Sequence, residues 1–398
     1  MAALTTRLKY AITACECLGF FTVGLILALL GPTLLDLADN TGSSVAEIAR
    51  AFTARSVGYF LGSVVGGKLF DSHFSSTCLL LAGALALATI GTFFAPLTSN
   101  LTALCFIVSL QGIAMGVLDT GGNVLLLKLW GSECGPYLQS LHASFGVGAF
   151  VSPFIAQAFI ADHETSNLGC TGLNSTAMPL VSTSAATSTT SPLSPGSVSH
   201  VATAYMIAAV LMVPVSLGFL LLHRRAKAGL QLLQDKAGAD DHSGQRPVYS
   251  PRTGYIILLL GCFFFFCYVG MEVAYGGYLF SFAVKNCSLQ FTSKQASQLT
   301  SVYWGWFALG RLVSIPLSMM VSPLSMTLVD LVGALVASVM LALDPTNPTQ
   351  VWLSSGLFGL SLASVFPSGL HLLEQVRSLL VMVVIPDVAL LLFASGWL

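Results

Sequence analysis

The chain is expected to fold as an all-α polytopic membrane protein, and three observations carry that expectation. Of its 398 residues, 55% are hydrophobic and only 8% are charged, where an ordinary soluble domain carries about 25% charged residues. Apolar runs of about 20 residues recur along the chain, each long enough to cross a hydrocarbon core of about 30 Å as a helix. The runs lack the alternating pattern of barrel strands, and in lipid only helices and closed barrels satisfy every backbone polar group. The composition excludes a soluble enzyme.

Ten runs read as spans, near residues 10–30, 52–70, 77–96, 101–127, 138–160, 201–222, 254–284, 296–319, 324–343 and 351–373. The first flows into Gly31-Pro32 without a small-residue cleavage site, so it is expected to stay as an anchor. Glu16 within it reads as a further cavity carboxylate or an inner-surface residue, the second being favoured. The second closes on Lys68-Leu69-Phe70-Asp71, where Asp71 suits a gating contact between helices.

In the fourth run Gln111, Met115, Asp119 and Asn123 recur every four residues. Such residues share a helix face, so they form a slowly drifting polar stripe able to line a watery path. The competing reading is that Asp119 pairs with a neighbouring helix and fixes packing. Gly121-Gly122 permits close helix approach. The fifth run sets Gln139 three residues before His142, then Gly146-Val147-Gly148 and Pro153. Amide and imidazole groups both donate and accept, which suits sugar hydroxyls as well as interhelical bonding. His142 has no second ligand at a metal-site spacing.

The seventh run holds Glu272, the one charge between Arg252 and Lys285. A carboxylate at membrane depth costs about 2.5 to 3.5 kcal/mol on insertion scales and usually faces a cavity, a partner or a transported ion. Tyr275 follows one turn later, and the eighth run adds Tyr303, Trp304 and Trp306. Aromatic faces beside polar groups hold pyranose rings, although aromatics at helix ends also anchor proteins at the interface. Arg311, near the inner end of the eighth run, reads as gating, like Asp71.

Basic residues orient the chain. With the N-terminus cytoplasmic, twelve Lys and Arg fall inside or near the inner surface, and only Arg50, Arg55, Lys285 and Lys294 fall outside. Loop Lys and Arg set orientation, so this topology is favoured and the net charge of −1 says little. Both glycosylation sequons, at Asn174 and Asn286, then fall outside. Cys170 and Cys287 fall there too, where one bridge is open to them; most of the nine cysteines lie within runs, as small apolar filler.

The organisation expected is a six-helix bundle over 1–222 with an external Ser/Thr-rich loop at 161–200, a cytoplasmic inter-bundle loop at 223–252, and a second bundle over 253–398. A central inside loop after six helices suggests two halves of six with substrate between them at the membrane midplane. After Gln375, Ser378 to Trp397 is apolar enough for an eleventh span, interrupted by Pro386-Asp387, and nothing remains for a twelfth. The second half therefore reads as incomplete. No phosphate-cradling loop, metal-ligand cluster or nucleophile constellation is present, so no enzyme, ATP-driven pump, cofactor or nucleic-acid partner is expected.

Gly67-Lys68-Leu69-Phe70-Asp71 resembles the start of the loop motif of the major facilitator superfamily, with Ser72-His73-Phe74 in place of the basic and glycine positions expected next. Leu30-Gly31-Pro32-Thr33, Gly62 to Gly67, Gly116 to Asn123, Leu141 to Phe145, Tyr268 to Gly276 and Phe366-Pro367-Ser368-Gly369 resemble the sodium-dependent glucose transporter family within it. The resemblance implies a twelve-helix, two-bundle fold working by alternating access, with glucose or related sugars as substrate and sodium as coupling ion. On that reading Gln111, Asn123, Gln139 and His142 contact hydroxyls, with Tyr275, Tyr303 and Trp304 as the aromatic surface. Asp119 or Glu272 holds sodium, or a proton, in a multi-pass protein of the plasma membrane. Two alternatives stay open: an uncoupled facilitator of a small polar solute, and a truncated, non-transporting regulator of a membrane partner.

Overall fold

The computed structural model describes residues 5–161, 200–240, 251–286, 288–289, 291–370 and 372, and among these there is no strand. Ten long helices answer the ten apolar runs. They are α1 (Thr6–Leu29), α4 (Arg50–Ser72), α5 (Thr77–Phe94), α6 (Leu101–Trp130), α7 (Cys134–Gln157), α8 (Val201–Asp240), α9 (Pro251–Lys285), α10 (Ser293–Leu317), α11 (Pro323–Leu343) and α12 (Pro348–Leu362). Two short helices, α2 (Leu34–Thr41) and α3 (Val45–Ile48), join α1 to α4. Asn174, Cys170, Cys287 and the run after Ser378 lie outside the described residues.

The helix starts are written locally. Thr5, Asn100, Ser322 and Asn347 each accept a main-chain N–H of the following first turn, and Pro323 and Pro348 open their helices where no N–H is needed. Ser44 with Glu47 and Thr292 with Gln295 form capping boxes. The bonds that Glu47 accepts from Ser44 hold its carboxyl below the usual range. Helix α8 departs from expectation by continuing through 223–240, the greater part of the segment read as the inter-bundle loop.

Seven of the long helices are long and apolar enough to cross a membrane; α4, α7 and α10 are not. Several of their polar residues are turned inward, among them Arg55, Ser63, His142 and Arg311. Helix α4 packs on α6, and α7 packs on both α1 and α10. Arg55 of α4, counted outside from the sequence, is 2% exposed, with Nη1 donating to the Leu27 oxygen at 3.3 Å. Glu16, read as an inner-surface residue, is 1% exposed within the first half. A long side chain placed near a helix end by sequence can still fold back among its neighbours.

The close pairs are made by glycine. A Cβ at Gly58 or Gly62 would strike the main-chain oxygens of Ser109 and Ile113 in α6, and one at Gly112 or Gly116 would strike those of Arg55 and Tyr59 in α4. Gly24 and Gly148 do the same between α1 and α7. Lipid gives no hydrophobic drive to such pairs, so close backbone packing must hold them. Gly121 and Gly122 serve packing as expected, facing the rings of Phe70 and Phe20.

Helices α1 and α4 to α8 pack among themselves, as do α9 to α12, and the two groups meet along α7 and α10. Gly146 lies against Ala308 midway, Ser297 donates to the Pro153 oxygen at 2.7 Å towards one face, and Ser314 donates to Gln139 Oε1 at 3.2 Å towards the other. On the face where α1 ends, Gly31 abuts the Gly276 and Gly277 main chain and the Phe52 and Tyr278 rings stand 5.1 Å apart.

Candidate functional site

Between the two groups lies a cavity with about 470 Å³ of empty space, part of it open to solvent. Phe20, Val23 and Leu27 of α1, Tyr59 of α4, Asp119 of α6 and His142 and Phe145 of α7 line one side. Val269 and Glu272 of α9, Arg311 of α10 and Phe366 line the other. An apolar, aromatic wall with a few convergent polar groups is the usual build of a small-molecule site.

On the first side a polar chain is fixed by hydrogen-bond direction. Asn123 Nδ2 donates to the Asp119 main-chain oxygen at 2.9 Å and to Oδ1 at 3.2 Å. Its carbonyl therefore faces His142 Nε2, 3.2 Å away, and that nitrogen must carry the proton. Tyr59 also hydrogen-bonds Asp119. The Asp119 carboxylate is thus met by neutral donors. The His142 ring is edge-on to Phe20 at 5.6 Å and lies 5.0 Å from Phe366 across the cavity.

On the second side Glu272 Oε2 lies 2.7 Å from the Tyr268 hydroxyl and 3.9 Å from Arg311 Nη2, in an ion pair with both side chains under a tenth exposed. Tyr268 has one proton and two acceptors, since Leu362 O is 2.9 Å from the same hydroxyl. Arg311 Nη1 donates to the His142 main-chain oxygen at 2.9 Å and its Nε to Ala363 O at 3.2 Å. The guanidinium also stacks over Phe307, 4.1 Å from the centroid. Buried ionic groups persist only where pairing and hydrogen bonds replace water, and Arg311 has both.

Asp119, His142, Glu272 and Arg311 therefore come together, and Asn123 braces the first two. Arg311 occupies the centre of the site rather than the inner rim. Gln139 reaches the seam but not the cavity. Gln111 is turned away, its Nε2 donating to Thr92 of α5 at 2.8 Å. Tyr275 bonds Ser355 at 2.8 Å behind the lining, Tyr303 donates to the Glu272 main-chain oxygen at 3.1 Å, and Trp304 is 1% exposed against Phe145. These aromatics support α9 and α10 instead of presenting a face. Trp306 is 45% exposed on the outer surface. Asp71 ends α4 at the surface, far along the helix from Tyr59. Asn286 follows α9, its Nδ2 donating to Pro345 O at 3.2 Å.

Sequence reasoning missed Tyr59, Phe20, Phe145 and Phe366 as lining residues, and Tyr268 as the partner of Glu272. Tyr268 was legible, because it stands four residues before Glu272 on the same helix face. The lining phenylalanines carried no distinguishing signal among the 25 in the chain. No group of three or more potential metal ligands occurs among the described residues.

The Major Facilitator Superfamily model matches residues 17–376. Sodium-dependent glucose transporter 1 of Homo sapiens is 33% identical over 361 residues, covering 90% of this chain and 66% of the human protein. Sodium-dependent glucose transporter 1A of Mus musculus is 33% identical over 90% of this chain and 81% of its own length. The chain thus spans just under two thirds of the human relative. Among solved structures, the xylose transporter XylE from E. coli, in a partially occluded inward open conformation, matches with a TM-score of 0.64 at 13% identity over 98% of this chain and 90% of that one.

Proposed function

We infer the function from one premise: the chain belongs to the major facilitator superfamily and, within it, to the family of the sodium-dependent glucose transporters. The reading we propose is a secondary transporter of glucose or a related sugar, working by alternating access across the plasma membrane with the N-terminus cytoplasmic and sodium as the coupling ion. The observation that carries it is the cavity between the two helix groups, with two carboxylates, an imidazole and a guanidinium set among aromatic rings. Such a wall can stack on the C–H face of a pyranose while His142 and Asp119 exchange hydrogen bonds with its hydroxyls.

Asp119 is the better sodium ligand of the two carboxylates. It is a hard oxygen ligand met by neutral donors, whereas Glu272 already faces a cation. The main-chain contacts of Arg311 on both sides of the cavity make it the group through which a change at Glu272 is felt by α7. The glucose and sodium named for the relatives favour this substrate and ion.

Proton coupling is the second reading, and Tyr268 favours it. With Glu272 protonated, the carboxyl donates to the Tyr268 oxygen and the hydroxyl donates to Leu362 O, while Arg311 keeps its bonds to Ala363 O and His142 O. The test is uptake of labelled glucose into proteoliposomes under a sodium gradient, a proton gradient or neither. Uptake that follows sodium and is lost in Asp119→Asn supports the first reading; dependence on pH alone supports the second; glucose that neither binds nor moves sinks both.

A further inference from the structure

The tenth long helix breaks where Pro367 requires it. Proline has no N–H to return to the carbonyl four residues earlier, and its ring crowds that carbonyl. That residue is Ala363. The helix ends at Leu362, turns through Ala363 and Ser364 and resumes at Val365. Within a bilayer the released carbonyl needs another donor. Arg311 Nε supplies it at 3.2 Å, while the Tyr268 hydroxyl sits 2.9 Å from the Leu362 oxygen. These are the two side chains that hold Glu272.

The far side of the break is held by Asp330 of α11. Its carboxylate accepts from the Ser364 hydroxyl and from the Ser364 main-chain N–H. Asp330 is the single charged residue in Pro323–Leu343, and α11 contributes no residue to the cavity wall. A carboxylate inside a span is expensive enough to need a role. A tie between α11 and α12 alone would give it one, but that reading leaves unexplained why the break faces Arg311.

We propose that Asp330 and Pro367 are positioning residues for the Arg311–Glu272 pair. Pro367 leaves the Ala363 oxygen without its helical donor, Asp330 fixes the opposite edge of the turn, and Arg311 is then held between main-chain oxygens of Ala363 and His142 with Glu272 in front of it. The proposal rests on reading that pair as part of the transport site.

A double-mutant cycle on the full-length chain tests it, because residues acting through one network give non-additive effects. Pro367→Ala and Asp330→Ala are made in the wild-type and Glu272→Gln backgrounds, and glucose affinity and Tm in detergent are measured for each. Both single variants are expected to weaken glucose binding about threefold to tenfold, the range of a lost side-chain-to-backbone tie. Asp330→Asn, which keeps an acceptor for Ser364, recovers most of that loss. Pro367→Ala removes no charge and favours the helix, so its loss cannot come from misfolding. In the Glu272→Gln background both effects shrink towards nothing. Losses of equal size in the two backgrounds, or a Pro367→Ala protein that binds like wild type, overturn the proposal. Should wild type bind no glucose, the sugar reading has failed and the Tm cycle decides: non-additive shifts uphold the positioning role and additive shifts overturn it.

Discussion

Arg311 donates its Nη1–H to the main-chain oxygen of His142, 2.9 Å away and on the other side of the cavity. One side chain thereby joins the two helix groups at the level of the site, while its Nη2 faces Glu272.

Replacing Arg311 by Ala leaves Glu272 buried without its cation, and breaking a buried pair costs about 3 to 5 kcal/mol. The variant is expected to lose uptake and to melt lower. Arg311→Ala combined with Glu272→Gln is expected to regain much of the Tm but none of the uptake. A double variant no more stable than Arg311→Ala would show that the pair contributes little.

Asn123 carries the link between His142 and Asp119. Asn123→Ala removes a donor from one and an acceptor from the other, each bond contributing about 0.5 to 1.5 kcal/mol. Glucose affinity should fall about tenfold by equilibrium binding, whereas Gln111→Ala, directed at Thr92 in α5, should bind glucose like wild type.

The two carboxylates should separate by ion dependence. Asp119→Asn is expected to raise the half-saturating sodium concentration for uptake at least tenfold, because it removes the carboxylate whose hydrogen-bond partners, Tyr59 and Asn123, are neutral. Glu272→Gln should lower maximal uptake with a smaller change in that concentration. The reverse pattern would move the sodium site to Glu272.

Helix pairing should be unforgiving at its glycines. Gly62→Val places atoms against the Ile113 main chain and should give no monodisperse protein on gel filtration, while Gly83→Ala, with nothing within 4 Å, should elute as wild type. Equal behaviour of the two variants would refute the close α4–α6 approach.

Orientation can be read from glycosylation. With the N-terminus cytoplasmic, Asn286 and Asn174 face outward, and a glycosidase-sensitive gel shift should vanish only when both are changed to Gln. A chain without such a shift in a glycosylating host would count against that topology.

Much of the fold could be read directly. All ten apolar runs became long helices, seven of them apolar enough to cross a membrane, because hydropathy over about 20 residues is a local property that does not depend on the neighbours. Glu272 was legible for the same reason, since its cost arises from depth alone. The polar stripe on α6 was only half legible. Twelve residues at about 100° each turn Asn123 about 120° from Gln111, so one braces Asp119 and His142 of the cavity wall and the other faces α5. Asp330 and Pro367 were in plain view as a charge and a helix breaker inside apolar runs. What they serve depends on Arg311, which lies on a different helix from either, and spacing along one helix gives no such pairing.

The sequence by itself determined that this chain lies in a membrane as helices, where the long helices fall, and that a carboxylate at Glu272 needs a partner, because these follow from the local balance of apolar and charged groups. Only the tertiary structure decided which groups meet: Arg311 at the centre and not at the rim, Tyr275, Tyr303 and Trp304 behind the wall, Phe20 and Phe366 in front of it. The physical reason is that a helix's periodicity fixes which residues share a face, while the direction of that face is set by where backbones can approach, here by Gly24 with Gly148 and Gly62 with Gly116.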